Sequence, residues 1–204
     1  EMLGERGTWF KFLPFEWSVR VPMIASGPNM VRGKIEKHYT SLVDLLPTFV
    51  DLATNEKNYE YSDNLDGKSL FGLMQGKKID IPNELMLEFT GEGVYAPALI
   101  FIRDGIKYVH CRTDPPMMFD LNVDPEEQNN LALEPSYLSL ANEMKSEIDK
   151  RWNYDELENK VIKSQKRRLF VQNTLLKGKW TGWDHQPFVA VSYTHLTLPT
   201  INWV

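Results

Sequence analysis

The sequence predicts a mixed α/β fold, of the α+β kind over most of this chain. Residues 97–111 contain two β-rich runs on either side of Asp104-Gly105, a dipeptide typical of a tight hairpin turn. Residues 135–152 carry apolar side chains on one side of a predicted helix, and residues 155–177 predict a second helix. The chain therefore combines an antiparallel hairpin with a helical C-terminal third.

The first part of the chain predicts short elements separated by loops. Residues 19–25 predict a short buried strand. Ser41 is a favoured N-cap for a helix over residues 42–53, which Pro47 is expected to kink or restart because proline has no amide hydrogen. Residues 54–67 are polar and predict an exposed loop.

Four further segments complete the predicted elements. Residues 68–76 predict one short helix that ends near a glycine. Residues 84–89 and 117–121 predict two strands in addition to the hairpin. Residues 124–132, with the sequence DPEEQNNLA, predict a capped turn that leads towards the 135–152 helix.

Composition excludes several classes of protein. A chain of 204 residues with 42% hydrophobic and 25% charged residues has the composition of an ordinary globular protein. Its net charge of −5 argues against a nucleic-acid partner, and no run is long enough for a membrane-spanning helix. Cys111 is the single cysteine, so no internal disulfide is possible. A reducing, cytoplasmic location is therefore expected.

The histidines and the cysteine do not form a metal-binding pattern. His110 and Cys111 are neighbours on a predicted strand, so their side chains point to opposite faces and cannot share an ion. His38, His185 and His195 are scattered without ligand spacing, and no cluster of carboxylates offers several oxygen ligands. We therefore predict no metal site within this chain.

The most unusual segment is residues 4–16, GERGTWFKFLPFE, which place one lysine, Lys11, between aromatic residues. Gly4 and Gly7 would allow the backbone to turn tightly. Lys11 has two interpretations. Its stem lies over aromatic rings with the ammonium group in water, or the ammonium group stabilises negative charge in a site that excludes water.

Two segments near the C-terminus have a structural and a functional interpretation. Residues 163–168, KSQKRR, form either an anion-binding patch or a solvated helix face, and the acidic chain favours the solvated face. Trp180 and Trp183, in WTGWDHQP, predict an interface because aromatic side chains anchor interfaces.

Several segments resemble one family. Residues 2–24 look like the segment that follows the second metal-binding motif of type I sulfatases, and residues 41–53 look like the helix after it. Residues 87–132 are similar to the C-terminal subdomain of bacterial choline-sulfatases, and residues 154–187 resemble their C-terminal extension. The resemblance extends from Met2 to about Pro187.

The resemblance implies a fold and a domain division. The fold is that of the alkaline phosphatase superfamily, an α/β sandwich followed by a small antiparallel-sheet subdomain and, here, C-terminal helices. Residues 1–53 would end the catalytic domain, 54–152 would form the α+β subdomain, and 153–190 would form the choline-sulfatase extension. Residues 191–204 depart from the family's charged segment, so we expect a non-native tail there.

The resemblance also implies a chemistry. In the family, a cysteine matured to formylglycine is the nucleophile, and calcium or a similar divalent ion is held by an Asp-Asp pair and a later Asp-His pair. These ligands would precede Glu1, and Cys111, in HCRTDPP, does not fit the nucleophile motif. The chain is expected to be an inactive C-terminal portion of a homo-oligomeric enzyme that hydrolyses choline-O-sulfate.

Two site residues follow from the resemblance. Lys11 would be the catalytic lysine that contacts the sulfate group. Glu88 aligns with an acidic position assigned to the choline end, Glu92 is a weaker candidate, and the alternative for Glu88 is a solvated carboxylate at a strand end. If Lys11 and Glu88 bind one small molecule, they should face a common cleft.

Two other functions remain open. One is a sulfatase or a phosphonate or phosphate-ester hydrolase of the same superfamily with another substrate. The other is a non-catalytic interaction module made of this subdomain alone.

Overall fold

A computed structural model of the chain describes residues 1–54, 59–78, 82–91 and 94–178. Two compact units are distinguished, Glu1–Val161 and Ile162–Val204. The second is described only as far as residue 178. Glu92, Trp180, Trp183, the last two histidines and the predicted 191–204 tail therefore lie outside the described residues.

A four-stranded antiparallel sheet forms the centre of the first unit. Its strands lie in chain order and are β1 Glu84–Phe89, β2 Ala98–Arg103, β3 Ile106–Cys111 and β4 Met117–Asp120. The hairpin turn is built as predicted. Asp104 and Gly105 have φ angles of 50° and 86°, the pair of left-handed conformations that a two-residue turn of this kind requires.

The helices confirm most of the sequence-based expectations. Three-residue 3₁₀ turns cover Glu5–Gly7 and Leu42–Asp44, and the helices are α1 Glu16–Val19, α2 Leu45–Thr54, α3 Phe71–Met74, α4 Leu138–Arg151 and α5 Tyr154–Leu175. Within the described residues no helix is long and apolar enough to cross a membrane.

A capping box marks the start of the helical segment that consists of the 3₁₀ turn Leu42–Asp44 and α2. Ser41 and Asp44 form a capping box, in which the Ser41 amide donates to the Asp44 carboxylate at 2.8 Å. Pro47 is the third residue of α2, so its missing N–H falls in the first turn, where no intrahelical acceptor is required. The expected kink or restart corresponds to the change from the 3₁₀ turn Leu42–Asp44 to α2 at Leu45, two residues before Pro47.

The two faces of the sheet pack against different parts of the chain. One face, here called the α4 face, joins β-strand side chains to helix α4 in a core of Leu99, Phe101, Tyr108, Met118, Ala132, Ala141, Met144 and Ile148. The other, here called the loop face, is covered by partly buried residues from the first part of the chain. This face carries an apolar cluster of buried Ile100, Ile102 and Val109, with Val19 and Tyr39 packed on them.

The predicted strand over residues 19–25 is wrong. Val19 ends helix α1, and the residues after it have no regular structure. Val21 is 53% exposed and Ile24 is 93% exposed, so the run is not buried. Pro22 cannot donate a ladder hydrogen bond, and no strand pairs with this run in the described part of the chain.

Candidate active-site loop

The segment that carries Lys11 is a tightly folded loop, here called the lysine loop (residues 4–17). Gly4 and Gly7 have φ angles of 102° and 73°, a left-handed conformation that favours glycine. The Gly4 amide donates to the Thr8 carbonyl at 2.8 Å, and the Gly7 amide donates to the Gly4 carbonyl at 3.1 Å. The backbone therefore reverses direction before it reaches Lys11.

Lys11 lies at the surface of the described structure. Its side chain is 63% exposed, and its Nζ atom lies 2.7 Å from a carboxylate oxygen of Glu1. This hydrogen bond is the main reason why the pKa of Glu1 is lowered. The Ser18 hydroxyl donates to the Lys11 carbonyl oxygen, so the backbone at this position is held even though the ammonium group is accessible.

The aromatic neighbours of Lys11 are also exposed. Trp9 is 67% exposed and Phe10 is 48% exposed, and the rings of Phe10 and Phe12 lie 6.2 Å apart. Large exposed apolar side chains concentrated around one accessible cation are typical of a surface that binds a ligand or another protein surface.

The lysine loop is anchored to the turn after strand β4. The guanidinium group of Arg6 stacks 3.9 Å from the centre of the Phe15 ring. The same group donates to the backbone carbonyls of Glu126, at 3.0 Å, and of Glu127. The Trp17 indole donates to the Glu126 carboxylate at 3.0 Å. These contacts hold both ends of the loop on one short turn.

A buried group of charges lies beneath this junction. The Nζ atom of Lys107, on β3, lies 2.7 Å from the Glu127 carboxylate and donates to the Glu16 carboxylate at 3.0 Å. Lys107 is fully buried and Glu127 is 1% exposed. Buried charges of this kind must be paired, because an unpaired ion in the interior is costly. None of the three residues was identified as a site residue from the sequence.

The turn that carries Glu127 is itself closely hydrogen-bonded. Asp124 accepts the amides of Gln128 and Asn129 at 3.0 and 2.8 Å, and these two bonds are the main reason why the pKa of Asp124 is lowered. The Asn130 side chain accepts the amides of Met118 and Ala132 at 2.9 and 3.0 Å. The predicted capped turn is confirmed.

Glu88 occupies a different environment. It is an exposed residue of β1, an edge strand, and its carboxylate accepts a hydrogen bond from the Trp152 indole at 3.0 Å. Trp152 follows the last residue of α4. An aromatic ring and a carboxylate are therefore adjacent here.

Lys11 and Glu88 are not brought together by the described contacts. Glu88 pairs with Leu99, which packs in the core beneath α4, so Glu88 belongs to the α4 face. The lysine loop is anchored to the loop face instead. Its Phe15 ring lies 6.0 Å from the Phe119 ring, and Phe119 pairs with Lys107 across the ladder. The expected common cleft gains no support from this arrangement.

The described residues contain no group of three or more His, Cys, Asp or Glu side chains that could hold a metal ion. No cluster that the structure describes therefore fits the divalent metal of the sulfatases that the sequence resembles. Cys111 is a buried free thiol that contacts the Ala96 carbonyl at 3.6 Å. It packs against apolar residues, as a small hydrophobic side chain does.

Two family models match adjacent parts of the sequence. The model for the C-terminal region of N-sulphoglucosamine sulphohydrolase matches residues 4–154. The model for the C-terminal region of choline sulfatase enzymes matches residues 159–195. The first match contains both the lysine loop and the sheet.

Individual relatives agree with these matches. A choline-sulfatase from Rhizobium meliloti is 36% identical over 99% of this chain, and a multifunctional alkaline phosphatase superfamily protein from Trinickia caryophylli is 32% identical over 69% of it. The chain spans only 40% and 30% of the lengths of these two proteins.

A solved structure shows the same architecture. The structure of a 2-O GAG sulfatase superposes with a TM-score of 0.53 and 27% identity over 62% of this chain and 28% of that chain. The predicted fold class, mixed helix with a small antiparallel sheet as in alkaline-phosphatase-like sulfatases, is confirmed. The chain belongs to the sulfatase family and corresponds to a C-terminal part of its members.

Proposed function

We propose that this chain is part of a choline-sulfatase, an enzyme that hydrolyses choline-O-sulfate to choline and sulfate. The observation that carries the proposal is the pair of adjacent matches, one to a sulfatase model over residues 4–154 and one to a choline sulfatase model over residues 159–195. The 36% identity to a choline-sulfatase along 99% of the chain supports the same substrate.

A second candidate is another ester hydrolase of the alkaline phosphatase superfamily, acting on a different sulfate or on a phosphonate or phosphate ester. The relative from Trinickia caryophylli, described as multifunctional, favours this alternative. The two candidates differ in substrate. In both reactions, negative charge develops on the sulfate, phosphonate or phosphate group that is transferred.

Lys11 is proposed as the residue that contacts the sulfate group. Cleavage of a sulfate ester increases negative charge on the sulfate oxygens and on the leaving oxygen, and a fixed ammonium group stabilises that charge. The accessible ammonium group, the exposed rings beside it and the held Lys11 backbone support this role. A substrate would have to replace Glu1 as the partner of the ammonium group.

Glu88 is proposed as a contact of the choline end. A quaternary ammonium ion has a permanent charge and no hydrogen-bond donor, so it is recognised by aromatic faces and by carboxylates. Exposure of Glu88 and the adjacent Trp152 ring support the role. Because the lysine loop is anchored to the other face of the sheet, the roles of Lys11 and Glu88 are tested separately.

The nucleophile and the metal are proposed to come from other parts of the complete protein. Formylglycine would supply the attacking oxygen and calcium or a similar divalent ion would bind the sulfate oxygens. This chain spans 40% of the choline-sulfatase from Rhizobium meliloti, which leaves the other 60% of that protein unmatched. A segment of that length is ample to carry the nucleophile and the metal ligands.

We propose that the chain divides into domains at residues 1–53, 54–152, 153–190 and 191–204. We also propose that the complete protein forms a homo-oligomer and that it is located in the cytoplasm. Exposed apolar side chains on α5 support an interface, since Phe170 is 71% exposed and Leu175 is 68% exposed. A buried free cysteine agrees with a reducing compartment.

The test is an assay of the complete protein that contains this chain. The purified enzyme, matured so that its formylglycine is present, would be supplied with choline-O-sulfate, an aryl sulfate and a phosphonate monoester. A kcat/KM for choline-O-sulfate well above the other two is expected. A higher kcat/KM for the aryl sulfate or the phosphonate monoester would favour the second candidate, and no hydrolysis of choline-O-sulfate would refute the first.

A further inference from the structure

The turn at Glu126 and Glu127 contacts the lysine loop at both of its ends. Arg6, near the start of the loop, donates to the carbonyl oxygens of both glutamates. The amide of Glu16, near its end, donates to the Glu127 carboxylate at 2.7 Å across 111 residues of sequence. The Trp17 indole donates to Glu126. A single short turn therefore sets the separation of the two loop ends.

Glu127 is held rigidly on its other side. Its carboxylate lies 2.7 Å from the Nζ atom of Lys107, which the β3 ladder fixes in place. It also adopts a φ angle of 54°, a left-handed conformation that is costly for a residue with a side chain. Strained backbone conformations of this kind cluster near functional sites, and a buried ion pair is by itself weak evidence for added stability.

Lys11 lies midway in sequence between the two anchored positions, Arg6 and Glu16. Its side chain is 63% exposed and pairs with the Glu1 side chain, which is itself 43% exposed. Surface ion pairs are weak because water screens the two charges, so this pair is too weak to fix a loop. The position of Lys11 is consequently set by its backbone, which the Ser18 hydroxyl contacts at the Lys11 carbonyl and which the anchors at the two ends of the loop hold on the turn after β4.

We propose that Glu127, supported by Lys107, is a positioning residue for Lys11. It acts through the lysine loop and does not touch the substrate. The effect on catalysis rests on the proposed function of Lys11, whereas the effect on the loop does not. The negative charge of Glu127 is required, because it binds the Glu16 amide and the Lys107 ammonium group at the same time.

The first experiment measures the loop directly in the 204-residue chain by hydrogen–deuterium exchange. Glu127→Gln keeps the shape of the side chain and removes its charge. Arg6→Gln removes the second anchor at an exposed position, where the substitution is compatible with folding. Glu143→Gln is the matched control, since Glu143 is a glutamate paired with Arg103 on another part of the sheet.

The hydrogen-bonded amides of Gly4, Gly7 and Thr8 are expected to exchange at least about tenfold faster in Glu127→Gln and Arg6→Gln, and to lose more protection than the β2–β3 ladder amides do. Glu143→Gln should leave the loop unchanged. Unchanged loop exchange in both anchor variants would overturn the proposal. Equal loss of protection in the loop and the β2–β3 ladder in both variants would overturn it too, because it would show a general structural role.

The second experiment uses the complete enzyme and a double-variant cycle. Glu127→Gln should lower kcat for choline-O-sulfate roughly tenfold to a hundredfold, with a smaller change in KM. In a Lys11→Ala background the same substitution should have little further effect, because its action passes through Lys11. A full additional loss in that background would overturn the proposal for catalysis. Activity that is insensitive to Lys11→Ala would instead refute the role of Lys11, while the exchange experiment still decides the positioning of the loop.

Discussion

The ammonium group of Lys107 lies 2.7 Å from the carboxylate of Glu127, and the two side chains are 0% and 1% exposed. Lys107 lies on a central strand, and Glu127 follows the neighbouring strand β4 at the sheet edge. Glu16 completes the arrangement at 3.0 Å. The lysine loop, the sheet and the turn therefore meet at one buried cation.

Removal of that cation should destabilise the chain strongly. Lys107→Met leaves the buried Glu127 carboxylate without its partner, and such a loss is expected to lower the free energy of unfolding by about 3–5 kcal/mol. Replacing both members, as Lys107→Met with Glu127→Leu, should cost less than Lys107→Met alone because no charge stays buried. Urea denaturation measures both values. A loss below about 1 kcal/mol for Lys107→Met would contradict a buried, paired cation.

The 204-residue chain by itself should show no sulfatase activity. Its single cysteine lies outside the nucleophile motif and is buried, and the described residues hold no metal-binding cluster. The purified chain, with and without added calcium, would be assayed with choline-O-sulfate and an aryl sulfate. Turnover that depends on calcium and persists through repeated purification would show that the chemistry lies within these residues after all.

Lys11→Ala in the complete enzyme should lower kcat/KM for every sulfate ester, by roughly a hundredfold to a thousandfold, because charge stabilisation at the reacting group is lost. Stability should hardly change, since the pair with Glu1 is at the surface. Lys34→Ala, which removes another exposed lysine–glutamate pair, is the matched control. Equal effects of the two substitutions on activity would mean that Lys11 has no special role.

The sequence predicted those elements whose signals are local. The Asp104-Gly105 turn and the Ser41 capping box depend on residues within a few positions of one another, and both are present. The failed strand at residues 19–25 had the composition of a strand. What it lacked was a pairing partner, and pairing is decided by the rest of the chain.

The contacts that hold the lysine loop could not be predicted in the same way. Lys11 was identified from its own surroundings, whereas its loop is held by the Glu127 carboxylate, which lies 111 residues after Glu16 in the sequence. Lys107 lies within a β-rich run, where a lysine ordinarily faces water. Its burial follows from Glu16 and Glu127 approaching it from two distant segments.

The face of the sheet on which Glu88 lies was also undetermined by sequence. Alternation along β1 shows that its side chains point to two sides, while the pairing with β2 decides which side is covered by α4. Glu88 lies on the α4 face of the sheet and the lysine loop is anchored to the loop face, and this separation became visible only in the folded chain.

Acidification should weaken the fold through His110. Burial is the main reason why the pKa of His110 is lowered, and Lys145 lowers it further against the opposing effect of Asp149. An unfolded histidine binds a proton near pH 6.5, so below that pH the unfolded chain binds more protons than the folded chain does. Stability from this group is present above about pH 6.5 and is lost as the pH falls through the lowered pKa of His110.

Urea midpoints at pH 7.5 and pH 5.5 measure this effect. His110→Gln should reduce the difference between the two midpoints, because the titrating ring is gone. His38→Gln, a substitution of a histidine elsewhere in the chain, serves as the control. A difference between midpoints that is the same in His110→Gln as in the original chain would show that other groups cause the pH dependence.

The charge of Glu88 should determine how well choline-O-sulfate is used. Glu88→Gln removes the negative charge but keeps an oxygen that can accept the Trp152 indole hydrogen at the same place. A carboxylate next to an aromatic ring attracts a quaternary ammonium ion, whereas an aryl sulfate with an uncharged aryl group carries no cation to attract. In the complete enzyme, kcat/KM for choline-O-sulfate should therefore fall about tenfold or more, and that for the aryl sulfate should change much less.

Trp152→Phe separates the charge from the hydrogen bond, because it keeps Glu88 charged and removes the indole donor. If Glu88 binds choline, Trp152→Phe should affect choline-O-sulfate less than Glu88→Gln does, since a phenyl ring still offers an aromatic face. If the two substitutions have equal effects on choline-O-sulfate and on the aryl sulfate, then Glu88 serves only to hold Trp152 at the end of α4. That result would agree with the placement of Glu88 on the α4 face, opposite the face to which the lysine loop is anchored.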